Sequence, residues 1–297
     1  MTPTPGHDQV GLVGRLDAVS VLDALRAPTR GVVYDLDATR WNGMPVGPGH
    51  PQFQVLTYRS APGSRNQGDM DFLEHGNAAQ LRVNTDLIMG TVHTGTHIDA
   101  FAHVCCGPAA EWFGGYSAFD QLGDFGALTC DASTIPPIVT RGVLIDVAAD
   151  HSVPCLPRAT AITSADLASA LDKQQVELRE NDVVLVRTGY MSIWPDITRT
   201  SEYAGAGIDH GAAVYLADRG AIAIGGDTEA LEVFPSGNPD NPLPVHIELL
   251  QRRGIHILEL VDVEALAADQ VFEFLFVCLP LKIRGATGSL VRPIAIA

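Results

Sequence analysis

A short stretch rich in histidine constrains this chain more than any other part of its sequence. It holds His93, His97, Asp99 and His103, so three imidazoles and one carboxylate fall within eleven residues. Neutral imidazole and carboxylate are ligands for Zn²⁺ or Mn²⁺. We predict that His93, His97 and Asp99 bind a catalytic metal ion, because three protein ligands leave coordination positions open for water. His103 would then be a base beside that ion.

The spacing of these residues excludes a regular helix or strand as their support. On a helix His93 and His97 share a face, but Asp99 lies about 200° further round. On a strand all four share a face, but six residues span roughly 20 Å, too far for one ion with ligands at about 2.1 Å. The chain must therefore curl, and we expect it to do so at Gly95, because glycine tolerates backbone angles that other residues avoid. Ordinary surface or core histidines are the less favoured alternative.

Composition excludes several classes of partner. The chain has 297 residues, of which 46% are hydrophobic and 18% charged, which is typical of a soluble globular enzyme. The formal net charge of −16 and the lack of a Lys/Arg cluster argue against binding to nucleic acid or to an anionic membrane. No apolar run is as long as a membrane span. We therefore expect neither as a partner; the substrate that we expect is a small molecule.

The cysteines and the first residues indicate compartment and domain organisation. Five cysteines without a CxxC pattern favour free thiols and a cytoplasmic location. Cys105 and Cys106 follow His103 closely, but small buried side chains are the simpler interpretation. The start, MTPTPGHDQV, is polar and rich in proline. We expect residues 1–14 to be a flexible tail and residues 15–297 a single domain, since no repeat or linker divides the chain.

Strands and helices alternate over the second half of the chain, which favours a mixed α/β fold. Buried apolar runs predict strands at 142–146, 182–187, 221–224 and 271–280, and helical spacing predicts helices at 15–27, 163–178 and 209–219. Trp41 lies in a loop rich in Pro and Gly, where apolar residues often form a pocket wall. Asp227 follows a strand, where α/β enzymes gather functional side chains, although a helix N-cap is a competing interpretation.

A second pair of candidate ligands lies further along the chain. His246 is near the start of a predicted helix that ends at Gly254, and Glu259 lies on the strand that follows. The helix rises about 12 Å and the strand returns about 16 Å, so the two side chains would lie nearly level. Glu259 shares a face with apolar residues, and a carboxylate there needs a partner such as a metal. A solvent-exposed Glu259 beside an ordinary His246 is the alternative.

These residues resemble a known family. The stretch from His93 to Asp99, with His103 following, is similar to the HxGTHxD…H signature of the metal-dependent cyclase-like amidohydrolases, which include bacterial kynurenine formamidase and isatin hydrolase. The resemblance covers residues 30–297, because other landmarks of the family have counterparts here: Tyr34–Leu36 with Met44 and Pro45, Val186–Gly189, Gly226–Thr228, Pro244–His246, Glu259 and Pro280–Ser289.

The resemblance carries implications for fold, assembly and site. It implies a mixed α/β fold with a β-barrel-like central sheet flanked by helices, assembled as a homodimer or homotetramer. It implies that His103 is the catalytic histidine and that one or two ions of Zn²⁺ or Mn²⁺ bind at the other residues of the site. Those ligands are His93, His97 and Asp99 for the first ion, with Asp99 as a bridge and His246 and Glu259 completing a second site.

One position departs from the family pattern. Phe101 stands where many members have proline, two residues before His103. We expect this aromatic side chain to shape the substrate wall together with Trp41, and we expect Asp227 to contact the substrate as well. Such a pocket suits an aromatic or cyclic amide, imide or lactone.

The expected activity is hydrolysis of a C–N bond other than a peptide bond, in a cyclic amide or an arylformamide, or of a lactone ester. A metal-activated water would attack, and His103 would carry its proton to the leaving atom. One alternative is an aromatic polyketide ring cyclase that uses the same metal for condensation. Another is a metal-stabilised binding protein without turnover. A metalloprotease is disfavoured because no HExxH helix is present.

Overall fold

A computed structural model describes residues 9–67 and 76–297 of the chain. The strands in this part are β1 Val33–Asp35, β2 Gln54–Arg59, β3 Thr85–Met89, β4 His97–Asp99, β5 Glu111–Trp112, β6 Tyr116–Ser117, β7 Leu122–Gly123, β8 Gly126–Ala127, β9 Ile138–Asp146, β10 Ala161–Ile162, β11 Val183–Arg187, β12 Gly207–Ile208, β13 Ala223–Gly226, β14 His256–Glu259, β15 Glu273–Cys278, β16 Gly288–Leu290 and β17 Ile294–Ile296.

The α-helices are α1 Ala18–Ala24, α2 Ala61–Gln67, α3 Ala118–Gln121, α4 Val147–Asp150, α5 Ser164–Gln174, α6 Ile197–Tyr203, α7 His210–Asp218, α8 Pro244–His246 and α9 Glu264–Ala268. A π-helix, Ile247–Arg253, continues directly from α8. Short 3₁₀ turns complete the description at Gly11–Arg15, Phe101–His103, Phe113–Gly115, Ala132–Thr134 and Tyr190–Ser192.

One curled sheet of nine strands organises the molecule, in the order β1-β17-β15-β9-β11-β13-β14-β4-β16. The four central strands β9, β11, β13 and β14 are parallel, and the strands on either side of them pair antiparallel. Parallel strands need crossover segments between them, and α5 and α7 lie in two of these crossovers. The mixed α/β prediction with a curled, barrel-like sheet is confirmed.

Both faces of the central strands are buried. Along β9, Val143 and Ile145 pack into one hydrophobic cluster, which includes apolar side chains of α5 and α7. Leu144, between them, packs into a second cluster on the opposite face of the sheet. This alternation explains why the predicted strands are continuous apolar runs rather than alternating ones. The site described below lies where β4 joins the carboxyl end of β14.

The predicted strands and helices are present, with ends shifted by a few residues. The prediction for the first residues of the chain has a different outcome. The predicted flexible tail is wrong for residues 9–14, whereas residues 1–8 lie outside the described residues. Val13 is buried, with 1% of its surface exposed. The backbone N–H of Leu12 donates to the carbonyl of Gly254 at 2.8 Å. This segment covers the end of the π-helix and belongs to the core.

Two further expectations concern membranes and cysteines. No helix in the described part of the chain is long and apolar enough to cross a membrane. All five cysteines are thiols without a disulfide bond, and Cys105 is exposed while Cys106 is partly exposed. Small buried side chains are therefore the wrong interpretation of this adjacent pair.

Candidate metal centre

The histidine-rich stretch curls where the sequence predicts. Gly95 has a φ of +56°, in the left-handed region, and a Cβ there would lie 3.1 Å from atoms of the Arg40 side chain. After this turn the chain enters β4 and then the 3₁₀ turn Phe101–His103. Only glycine combines the backbone angle with the close approach of Arg40.

Arg40 holds this curl from the loop that follows β1. Its Nε donates to the carbonyl of Thr94 at 3.0 Å, and its guanidinium also donates to the carbonyl of Thr96. Asp37 accepts from the same guanidinium at 2.9 Å. The Thr96 hydroxyl oxygen accepts from the backbone N–H of Ala38 at 2.7 Å. The loop that carries the ligands is therefore tied to a second segment of the chain.

Strand pairing brings distant ligands together. His97 on β4 lies directly opposite Glu259 on β14, and its Nε2 is 3.2 Å from Oε2 of Glu259. Asp99 lies opposite Gly288 on β16. A Cβ at Gly288 would lie 2.8 Å from Cε1 of His93, so the absence of a side chain there makes room for that imidazole.

Asp99 lies at the centre of the cluster. Its Oδ1 is 2.9 Å from Nδ1 of His93 and 3.7 Å from Nε2 of His97, and its Oδ2 is 3.8 Å from Nε2 of His246. Nε2 of His246 is also 3.3 Å from Oε1 of Glu259. The expectation that His246 and Glu259 lie side by side is confirmed, and the solvent-exposed alternative for Glu259 is wrong, since only 6% of its surface is exposed.

Two overlapping groups of donor atoms result, each within 4.8 Å. The first comprises His93, Asp99 and His103, and the second comprises Asp99, His246 and Glu259. Asp99 belongs to both groups, which is the arrangement of a bridging carboxylate. His97, predicted for the first ion, faces Glu259 and so contacts the second group as well.

The cluster passes a test for a bound cation. Nδ1 of His93, Nε2 of His97 and both carboxylate oxygens of Asp99 are buried. They lie close to one another and to Glu259, but within the described residues none of these contacts has the geometry of a hydrogen bond. Buried polar atoms without well-formed hydrogen bonds are costly, so such atoms converging on one point indicate a site for a cation. Imidazole and carboxylate donors fit a divalent cation such as Zn²⁺ or Mn²⁺.

The charges of the cluster also suit a cation. Burial would raise the pKa values of Asp99 and Glu259, but the surrounding imidazoles lower both below their ordinary values. Burial would lower the pKa of His246, but Glu232 and Glu259 raise it to about 10. Glu259 and Asp99 likewise raise the pKa of His97 against the effect of burial. The carboxylates therefore keep their negative charge inside the protein.

His103 lies beside the cluster. Its ring stacks on that of His93, with ring centroids 3.9 Å apart and an interplanar angle of 26°. Burial lowers the pKa of His103 to about 4, against the opposing effect of Asp99. The imidazole is therefore neutral at neutral pH, which leaves one ring nitrogen unprotonated.

Residues that the sequence analysis missed orient the ligands. Glu232, with 1% of its surface exposed, contacts Nδ1 of His246 and accepts the backbone N–H of His246 at 3.0 Å. Thr287 lies 2.9 Å from Nε2 of His93, and the carbonyl of Gly95 lies 2.8 Å from Nδ1 of His97. Such partners fix imidazole orientation in metal sites. The sequence does carry a signal for Glu232, because an acidic residue between the apolar Leu231 and Val233 indicates a buried carboxylate that needs a partner.

A cavity of about 510 Å³ opens above the cluster. His93, His97, His103, His246 and Glu259 lie at its floor. Three further polar residues of the cavity wall were not predicted from the sequence. They are His50, whose Nδ1 is 3.2 Å from the hydroxyl of Thr91, Arg158 and Glu229. The apolar wall is formed by Pro45, Val46, Pro48, Ala204, Ala206, Phe234, Leu243 and Leu260.

Phe101 does not form this wall, so that prediction is wrong. Its side chain is fully buried and stacks on the ring of His256 at 4.0 Å, on the core side of the 3₁₀ turn. Residues in a 3₁₀ helix advance by about 120° each, so Phe101 and His103, two positions apart, point in different directions.

The other two predicted substrate residues also lie outside the cavity wall. Asp227 is fully buried, and its carboxylate accepts the backbone N–H groups of Thr188, Gly189 and Tyr190 at 2.8 to 3.0 Å. It therefore shapes the turn after β11, and no helix follows it to be capped. Trp41 packs edge-on against Trp194, with centroids 6.3 Å apart, and does not line the cavity.

Comparison with known proteins identifies a family. The model of the Cyclase family ("Putative cyclase") matches residues 32–233. The chain belongs to the Cyclase family. The matched residues include the histidine-rich stretch and Glu232, while His246 and Glu259 lie beyond them. Comparison with curated protein sequences gives no match.

Solved structures of the family share the fold. A crystal structure of a "novel cyclase" is 25% identical, with a TM-score of 0.83 over 98% of this chain and 96% of that chain. Isatin hydrolase A from Labrenzia aggregata, bound to benzyl benzoate, is 20% identical, with a TM-score of 0.62 over 89% of this chain and 93% of that one. A "potential metal-dependent hydrolase with cyclase activity" is 23% identical, with a TM-score of 0.53 over 89% and 98%.

Proposed function

We propose that the chain is a metal-dependent hydrolase of a small cyclic or aromatic amide, imide or lactone. The observation that carries the proposal is the buried cluster at the cavity floor, where four possible metal-ligand atoms of His93, His97 and Asp99 converge without forming a well-aligned hydrogen bond within the described part of the chain. Membership of the Cyclase family and the fold shared with isatin hydrolase A support the same reaction class.

His93, His97, Asp99, His246 and Glu259 would hold one or two ions of Zn²⁺ or Mn²⁺. When bound, a divalent cation supplies Lewis acidity, which polarises a carbonyl group and acidifies water. Asp99 lies within reach of both donor groups and would be shared between two ions. Glu232 and Thr287 hold the imidazoles of His246 and His93 in their orientations.

His103 would act as general base and then as general acid. An imidazole nitrogen of His103 accepts a proton from the attacking water, whose hydroxyl group is added to the substrate carbonyl carbon. The same nitrogen then donates that proton to the leaving nitrogen or oxygen. Water is thereby added across the C–N or C–O bond, and His103 returns to its neutral form.

The cavity favours the substrate class. Its volume of about 510 Å³ holds a small ring compound, and its apolar wall residues offer a surface against which a ring packs. Cleavage of a C–N bond is preferred over cleavage of a lactone ester because isatin, the substrate in the name of the related isatin hydrolases, is a cyclic amide.

Metal analysis combined with two variants tests this function. We expect purified protein to contain about one or two divalent ions per chain and to hydrolyse at least one of a panel of arylformamides, isatins, cyclic imides and lactones. His97→Ala should lose metal and activity, whereas His103→Ala should keep the metal and lose most turnover. Full activity in metal-free His97→Ala protein contradicts the proposal. Loss of metal in His103→Ala would make His103 a ligand instead.

A ring cyclase is the second candidate, favoured by the cyclase activity named for one structural relative. Product mass separates the two reactions, because hydrolysis adds one water to the substrate and cyclising condensation does not. A metal-binding protein without turnover would keep its metal and convert none of the panel.

We further propose assembly as a homodimer or homotetramer through the two-stranded ribbon formed by β2 and β3. Val55 and Ile88 pair across this two-stranded ribbon, as do Leu56 and Leu87, and all four side chains are exposed. An isolated two-stranded ribbon is at best marginally stable in water, and apolar side chains on both of its faces need cover.

Sedimentation analysis tests this assembly. A Leu56→Glu/Ile88→Glu double variant should sediment as a monomer, whereas Phe119→Glu, which changes an exposed aromatic residue elsewhere, should not change the mass. An unchanged oligomer in the double variant would contradict the proposed interface.

The five thiols without a disulfide also support a reducing compartment, and we propose the cytoplasm.

A further inference from the structure

One fixed positive charge lies in the wall of the cavity. Arg158 is the only Lys or Arg among the described residues that line it. The backbone beside Arg158 is tied to a neighbouring wall segment, because the N–H of Ala159 donates to the carbonyl of Ala204 at 3.1 Å. One guanidinium nitrogen, Nη1, donates to the carbonyl of Ser201 at 3.0 Å. These bonds hold the Arg158 segment against the wall.

The guanidinium of Arg158 has unused hydrogen-bonding capacity. An arginine side chain carries five N–H donors, and the Ser201 carbonyl takes one. Within residues 9–67 and 76–297, Arg158 forms no ion pair with a carboxylate. This contrasts with Arg40, Arg141 and Arg187, each of which is paired with at least one aspartate or glutamate.

We propose that Arg158 binds a carboxylate group of the substrate, at a position distant from the bond that is hydrolysed. This inference rests on the proposed hydrolase function and names the substrate class more closely. The substrate is then a small cyclic or aromatic amide, imide or lactone that carries a carboxylate. Arg158 is a specificity-determining residue and takes no part in proton transfer.

The charge balance of the molecule favours this assignment. The net charge of −16 repels an anionic substrate, and Arg158 places a positive charge in the cavity wall in addition to the ions proposed for the floor. A guanidinium presents parallel donors that match a carboxylate in a bidentate pair. Glu229 also lines the cavity, and because Arg158 is the only Lys or Arg of the described wall, the wall favours a singly charged carboxylate over a doubly charged phosphate group.

Calorimetric titration with product-like acids tests the assignment without turnover. Benzoate carries one carboxylate, and phthalate, isophthalate and terephthalate add a second at different spacings. We expect at least one dicarboxylate to bind metal-loaded protein about 10- to 100-fold more tightly than benzoate, which is typical of a hydrogen-bonded ion pair. Arg158→Gln should abolish this gain while leaving benzoate binding unchanged. Arg199→Gln, which removes an exposed charge of α6 outside the cavity wall, should retain it.

The outcomes separate the two proposals. If no dicarboxylate exceeds benzoate, or if Arg158→Gln keeps the gain, the assignment of Arg158 is overturned. If the gain depends on Arg158 but no compound of the hydrolase panel is cleaved, the hydrolase function fails while the carboxylate site stands. For a cleaved pair such as formanilide and 3-formamidobenzoate, Arg158→Gln should raise KM for the carboxylate compound alone and leave kcat unchanged.

Discussion

The floor and the wall of the cavity are built in different ways. The floor residues His97 and Glu259, and the Asp99 carboxylate of the same cluster, lie on paired strands, and no more than 6% of any of them is exposed. The wall residues Arg158 and Phe234 lie outside the nine-stranded sheet, and 54% of Phe234 is exposed. Rigid strands fix ligand positions, whereas loops vary without disturbing them. We therefore expect changes at the floor to abolish the chemistry and changes at the wall to alter substrate preference.

Removing the shared carboxylate should have the largest effect. Asp99→Asn keeps the shape of the side chain but removes the charge that lies between the two donor groups. We expect metal content near zero and a fall in kcat of more than about 1,000-fold, because the Lewis acid is lost. Mass spectrometry of metals and steady-state kinetics measure both.

Thermal unfolding gives an independent check on this variant. A chelator should lower the Tm of the wild-type protein, because a bound ion stabilises the folded state. It should leave the Tm of Asp99→Asn unchanged. Wild-type metal content in the variant would contradict the central place of Asp99.

Two buried carboxylates that follow β13 have different partners, and we expect their removal to have different effects. Glu232 contacts the imidazole of His246, whereas Asp227 accepts backbone N–H groups of the turn after β11. Glu232→Gln should weaken metal binding about 10- to 100-fold by misorienting His246. Asp227→Asn should lower the free energy of unfolding by about 1 to 3 kcal/mol, because a buried donor loses its acceptor.

Competition with a metal indicator and denaturant unfolding separate these two roles. We expect Asp227→Asn to keep the metal affinity of the wild-type protein. Equal losses of affinity in the two variants would show that the turn after β11, and not the orientation of His246, controls the site.

The sequence predicted the floor far better than the wall. His93, His97, Asp99 and His103 fall within eleven residues, and their spacing already demanded the turn found at Gly95. The backbone geometry of such a short segment can be predicted from its sequence, because few conformations of the segment bring all its ligands to one point.

Residues from distant segments were harder to predict. Arg158 reaches the cavity from a loop that no local pattern connects to the histidine-rich stretch, and Thr287 lies 194 positions from His93. Phe101 was misplaced because the sequence analysis did not anticipate a 3₁₀ turn, which directs its side chain away from that of His103. Such placements depend on tertiary packing rather than on periodicity.

Changing a glycine that packs against His93 should have an intermediate effect. Gly288→Ala would bring a Cβ to 2.8 Å from the His93 ring and 2.9 Å from the carbonyl of Ile98, so one of them must move. We expect metal affinity to fall roughly tenfold, since small displacements of a positioned group are costly. Gly123→Ala is the matched control, because its Cβ would meet neighbours only at 3.6 Å or more. Unchanged affinity in Gly288→Ala would mean that His93 contributes little to metal binding.

The smallest effect is expected at the wall. Phe234→Ala removes a half-exposed aromatic ring from the cavity wall and leaves every floor residue unsubstituted. An aromatic contact contributes about 0.5 to 1.5 kcal/mol, so KM for an aromatic substrate should rise roughly two- to tenfold. Metal content and kcat should stay at wild-type values. In the control variant Phe119→Ala, whose ring is exposed outside the cavity, metal content, kcat and KM should all stay at wild-type values. A fall in kcat or metal content in Phe234→Ala would mean that wall and floor are coupled and would break the division between them.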